Sequence, residues 1–218
     1  MVTRRGWLQY TAGSAAGLVL LRDALAAGKI EKGVYRVKGE VRINGAPAVV
    51  GMDVKAGDVV TTGRGAELVY VIDRDAMMVR AGTRVEIAGK AGSLLETGLR
   101  IVTGAVLSVF EPGKPKRIRT ATATIGIRGT GIYVEALPGE TYVCTCYGVA
   151  DLAAVGDPSA RETVHTTHHD QPRFVMARGA PRMIVKAPVV NHTDAELILL
   201  EDLVGRRPPF YGKSYGGY

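Results

Sequence analysis

Both cysteines and three of the four histidines of this 218-residue chain fall within residues 144–169. Cys144-Thr145-Cys146 sits in TYVCTCYGVADL, an alternating stretch that reads as a strand. Residues two apart on a strand project to the same face, so the two sulfurs stand side by side. Downstream runs His165-Thr166-Thr167-His168-His169-Asp170, with His165 and His169 four apart. Two thiolates and two imidazoles make a complete tetrahedral set for zinc, or a soft site for copper. The expected ligands are Cys144, Cys146 and His165, with His168 or His169.

The same residues have other fates open to them. Cysteine is among the most buried residue types and often only packs. Histidines in a Thr/Asp-rich stretch suit a solvated loop. A Cys144–Cys146 disulfide would close a tight ring, against the usual Cα separation and torsion. Pairing with another chain is the remaining oxidised form. Haem attachment would need Cys-x-x-Cys-His, which is absent. A cysteine nucleophile beside His165 or His169 lacks a third, orienting group. No G-x-S-x-G, P-loop or dinucleotide fingerprint is present. The expectation is a protein that is not an enzyme. His192 reads as the approach to a helix.

The elements that must hold these residues are mostly strands. Gly33, Gly39, Gly45, Gly51, Gly57 and Gly63 recur every sixth residue, with short apolar pieces between them. β-Branched runs bounded by Gly, Asn, Asp and Pro read as strands with tight turns. Glu67 to Ile72 and Met77 to Arg80 flank a hairpin turn, Asp73–Ala76; no calcium ligands follow Asp73 and Asp75 at loop spacing. Leu99 to Phe110 is long and apolar, with Gly104 as a bend or bulge. Lys114, Lys116, Arg117 and Arg119 in GKPKRIR could touch phosphate or an acidic partner, but better fit a solvated edge strand. Thr193-Asp194-Ala195-Glu196 is a capping box that opens one helix. Leu197, Leu200, Leu203 and Val204 form its apolar face, and Gly205 ends it. The fold class is all-β, a solenoid-like roll or sandwich of short strands with Gly-rich turns plus one short C-terminal helix.

Residues 1–26 have the tripartite pattern of an export signal: Arg4-Arg5, an apolar run from Ala12 to Leu21, and Ala24-Leu25-Ala26 before the cut. The arginine pair in TRRGWLQ points to twin-arginine export, hence a periplasmic location. The chain carries +7 net charge, mostly dispersed. An exported protein meets little nucleic acid, so none is expected as a partner, and no later segment has the length of a membrane span. Removing the signal leaves residues 27–218, enough for one domain with an appendage.

Two stretches resemble the FecR domain. The first is GEVRINGAPAVVGMDVKAGDVVTTGRGAELVYVI; the second is TATATIGIRGTGIYVEA. The second holds a turn of Gly126, Ile127, Arg128, Gly129 and Thr130, where glycines permit a sharp reversal. Arg128 is placed to bind carbonyls or a carboxylate across it. The resemblance implies a non-catalytic periplasmic β module that binds a periplasmic or outer-membrane protein, or a small ligand. It implies a part in envelope signalling or the regulation of iron-related transport. Typical members relay iron status to a cytoplasmic sigma factor through a membrane helix. This chain opens on an export signal instead, so the module carries over and the direct sigma-factor contact does not. The expected organisation is the signal at 1–26, a FecR-like β domain at 30–155, a Cys/His-associated β extension at 156–192, the helix at 193–205 and a mobile tail at 206–218.

Overall fold

The structure, a computed structural model, describes residues 32–89 and 98–213. Residues 1–26, expected to be an export signal, and residues 214–218 lie outside the described residues. The strands run in chain order as β1 (Gly33–Lys38), β2 (Val41–Ile43), β3 (Ala46–Pro47), β4 (Val59–Thr62), β5 (Glu67–Ile72), β6 (Asp75–Val79) and β7 (Arg84–Ala88). They continue as β8 (Gly98–Val109), β9 (Lys116–Arg119), β10 (Ala123–Leu137), β11 (Glu140–Ala154), β12 (Arg161–Thr166), β13 (Arg173–Met176) and β14 (Ile184–Lys186), and helix α1 (Asp194–Leu203) follows. All the strands belong to one sheet, and among the described residues the one parallel ladder joins β8 to β9. The architecture is sandwich-like and antiparallel, and the six-residue glycine spacing marks turns between short strands.

Three long strands create the two layers. The first half of β8 pairs with β7, and its second half pairs with β6 and β10. The change falls near Gly104, at φ 78°. A Cβ there would lie 2.2 Å from Thr83 Oγ1, so only glycine fits both the space and the backbone. β11 bends likewise near Gly148, φ 92°, and passes from β13 to β12. Each strand thus folds over, and apolar residues meet inside. Val34, Leu68, Tyr70, Ile101, Ile125, Ile132 and Val143 belong to this inner core.

A second core lies on the outer face, under α1. Val69, Val71, Met78, Leu107, Val109 and Tyr133 face Leu197, Leu199 and Leu200. Strand alternation puts Tyr142, Cys144 and Cys146 on this face, while Val143 points into the other core. The helix begins as expected: Thr193 Oγ1 accepts from Glu196 N at 3.4 Å, and Thr193 N donates to Glu196 Oε2 at 2.9 Å. Gly205, at φ 71°, follows its last turn.

Four expectations are corrected. The 73–76 turn is tighter than its composition suggests: Asp73 takes φ 53°, and Ile72 already pairs with Asp75. Asp75 is therefore a strand residue, buried and ion-paired to Lys116 at 2.9 Å. β9 is no edge strand, because it is bonded to β8 on one side and β10 on the other, with Ile118 fully buried. The Gly126–Thr130 motif is not a reversal. It lies within β10 as a bulge between Arg128 and Gly131, where the strand exchanges β9 for β8 as its partner. The tail is tied down as far as it is described, for Phe210 is buried beside Tyr147. β12 and β13 both pair with β11, so residues 156–192 extend the same sheet.

Candidate metal centre

The site lies where the outer face of β11 meets the segment leading into α1. Cys144 and Cys146 stand two apart on β11 with no exposed surface. The sequence reading placed them side by side, and the structure does so.

His169 reaches them by a local device. β12 ends at Thr166, and the chain turns sharply: Asp170 Oδ1 accepts from His168 N at 3.0 Å, and Thr166 Oγ1 accepts from Asp170 N at 3.3 Å. His169 itself adopts φ 54° and donates its backbone N–H to Cys146 O at 2.9 Å. The turn aims its ring inward. His169 Nδ1 lies 3.5 Å from Cys144 Sγ.

The fourth member is His192, which sequence reasoning left outside the site. It lies just ahead of the Thr193 cap, and its Nε2 is 3.0 Å from His169 Nδ1. Its ring stacks on Tyr133 at 4.8 Å between centroids. No local pattern announces it. Only docking of the capped helix onto the outer face brings it to β11.

His165 is a correction. It lies on β12 opposite Val149, with its side chain exposed and away from the cysteines. The four-residue spacing to His169 misleads, because strand gives way to turn between them. His168 is buried, but its Nε2 meets the Asp194 carboxylate at 2.8 and 3.0 Å and belongs to the rim of the site.

Cys144 Sγ, Cys146 Sγ and one ring nitrogen each of His169 and His192 all lie within 4.8 Å of one another. Zinc bonds of about 2.3 Å to sulfur and about 2.0–2.1 Å to nitrogen set tetrahedral edges of about 3.3 Å for N···N and about 3.6 Å for N···S. The observed 3.0 and 3.5 Å edges need shifts of only a few tenths of an ångström. The far nitrogens have partners of their own. His192 Nδ1 donates to Val190 O at 2.7 Å, and His169 Nε2 faces Asp194 Oδ1 at 3.0 Å. In the neutral tautomers these bonds select, both inward nitrogens are bare lone pairs 3.0 Å apart. Such a pair requires a cation between them, either a proton or a metal.

The electrostatics agree. A hydrogen bond from the Cys146 thiol, then bonds from His169 and His192, hold the Cys144 thiol far below its ordinary range despite burial, at about 4. Burial, and then the neighbouring Cys144, push the Cys146 thiol up. Burial alone would lower His169, but Cys144 and Asp194 outweigh it and its net direction is up. A thiolate at Cys144 and a cation at His169 thus stabilise one another.

Phe210 closes the site, with its ring 4.9 Å from that of His168. It is held by a buried network: Tyr147 donates to Glu201 Oε1, and Arg206 Nε donates to Glu201 Oε2 at 2.6 Å. In the Gly126–Thr130 segment, Arg128 is exposed and pairs with Asp151 at 2.7 Å.

No family model matches the chain, and no curated protein matches it. Among solved structures it is similar to two crystal structures, at 1.65 and 2.50 Å, of a candidate anti-sigma factor from Parabacteroides distasonis. Each has a TM-score of 0.49 and 16% identity, over 59% of this chain and 58% of that one. The likeness thus spans under two thirds of either chain.

Proposed function

We propose that this protein is an exported, FecR-like β module that holds one zinc-class cation at Cys144, Cys146, His169 and His192. The observation that carries the reading is the geometry of the four ligand atoms: buried, within 4.8 Å of one another, with both histidines presenting a nitrogen whose ring partner is already satisfied. Four protein ligands and full burial leave no open coordination position, which is the pattern of structural rather than catalytic zinc. The centre cross-links β11, the β12–β13 turn and the approach to α1. It is a fastener for the binding module, not a reaction centre. The FecR-like part of the proposal rests on the two motif stretches, which fall on β2–β5 with their connections and on β10 with its approach. The periplasmic location rests on residues 1–26. A protein or small ligand contacting the β surface remains the partner class in this reading.

Elemental analysis of protein purified without a histidine tag tests it. About one zinc per chain, lost in Cys144→Ser, is expected. Copper in place of zinc would change the metal while keeping the site. Less than about 0.1 metal per chain, unchanged by Cys144→Ser, would reject it.

A further inference from the structure

Asp194 touches two histidines and no cysteine. Its Oδ1 lies 3.0 Å from His169 Nε2, and both of its oxygens lie within 3.0 Å of His168 Nε2. These three residues form a second cluster in which the ligand atoms again lie within 4.8 Å. Taken by distance alone, the cluster has the makings of a second metal site made of two imidazoles and a carboxylate. Its place in the fold argues otherwise. Asp194 is the first residue of α1, directly after the Thr193 cap. The positive end of the helix dipole favours an anion there and disfavours a second cation. The nitrogen that would bind the second metal is also the one that fixes the tautomer of His169.

We infer, building on the proposed metal centre, that Asp194 is the positioning residue of that centre and that His168 is its companion donor, so that the two clusters hold one metal and not two. Asp194 accepts the Nε2–H of His169, leaves Nδ1 bare and turned toward Cys144, and raises the basicity of the ring. Such carboxylate–histidine–metal arrangements recur around metal sites, and loss of the outer partner costs about 10- to 100-fold in affinity. His192 has its counterpart in the Val190 carbonyl, so each ligating imidazole is oriented by one acceptor. The helix cap thereby acquires a use beyond the helix. Thr193 and Glu196 fix the first turn, the first turn fixes Asp194, and Asp194 sets the ring of His169. His168 occupies the rest of the carboxylate and, with Phe210, seals its buried side.

The test uses the full chain, with zinc affinity measured by competition against a chromophoric chelator and stoichiometry by elemental analysis. Asp194→Ala should weaken zinc about 10- to 100-fold while the stoichiometry stays near one. Asp194→Asn keeps an oxygen acceptor without the charge and should fall between the two. With cobalt as probe, the thiolate-to-metal band should persist in both variants, because both sulfurs remain ligands. His168→Ala, which leaves the Asp194–His169 bond in place, should stay within about threefold of the parent. Far-UV circular dichroism of the metal-free variants reports whether α1 is retained. Two results overturn the inference: zinc affinity of a folded Asp194→Ala within about threefold of the parent, or two zinc ions per chain that drop to one in Asp194→Ala. A parent chain that binds no zinc, or binds it equally well as Cys144→Ser, instead sinks the metal centre itself.

Discussion

Stripping the metal should leave this protein folded but measurably less stable. The inner core of Leu68, Tyr70, Ile101, Ile125, Ile132 and their neighbours forms without any metal ligand, so the β sandwich has its own driving force. The four ligand atoms already lie within 4.8 Å of one another, and the two edges at His169 Nδ1 are within a few tenths of an ångström of tetrahedral values, so binding needs no folding step of the kind that consumes much of the metal affinity of a zinc finger. Metal affinity therefore appears as added stability by mass action. At free zinc about 100 times Kd the gain is about 2.7 kcal/mol. A chain of this length shifts by about 2–4 °C per kcal/mol, so the melting temperature should rise by about 5–11 °C. Differential scanning calorimetry with a zinc buffer and with excess chelator measures it. Far-UV circular dichroism at 25 °C should barely change between the two, since the strands and α1 are already in place. A chelated chain with the spectrum of an unfolded protein would refute the preformed-site argument. A melting temperature indifferent to zinc would refute the site.

Other outcomes follow from particular contacts. His192→Ala should abolish stoichiometric zinc, whereas His165→Ala, on the exposed face of β12, should leave it unchanged by elemental analysis. Gly104→Ala puts a methyl against Thr83 at a left-handed backbone position, and should cost about 2–4 kcal/mol in urea unfolding. Thr145 Oγ1 is buried without a hydrogen-bond partner among the described residues, so Thr145→Val, nearly the same shape, should raise the melting temperature; a fall would show that the hydroxyl is satisfied. Arg128→Ala removes an exposed ion pair and should cost no more than about 1 kcal/mol at pH 7. The Thr163 hydroxyl, then Arg128, hold the Asp151 carboxyl below its usual range. A depressed carboxyl stabilises fully above its unfolded pKa of about 3.9 and loses that contribution as pH falls through its folded value. The difference between Arg128→Ala and its parent should therefore vanish in urea titrations well below that range.

What the sequence disclosed and what it concealed divide by range. β5 was legible to the residue because its apolar run and bounding glycine are local, and the capping box placed the start of α1 to within a residue. The sulfur pair followed from strand periodicity alone. His192 did not, because the other members of the site are 23 and more residues away and meet it only when α1 docks. His165 was mistaken for a ligand because spacing along the chain says nothing of a turn in which His169 takes a left-handed backbone. The basic run of β9 looked like an edge because the burial of Lys116 depends on Asp75, far away in sequence. Gly126–Thr130 showed its glycines plainly, but whether they reverse a chain or bulge a strand is decided by the neighbours on either side.

The bends at Gly104 and Gly148 carry a further consequence. β8 and β11 each belong to both halves of the sandwich, so no plane through the molecule separates one half from the other without cutting a strand. Hydrogen exchange should therefore show no half-molecule that opens alone; the amides on either side of each bend should share one opening free energy, that of global unfolding. A metal bound at Cys144 and Cys146 should then slow exchange in the far layer as well, acting on the whole molecule through a strand that both layers hold in common.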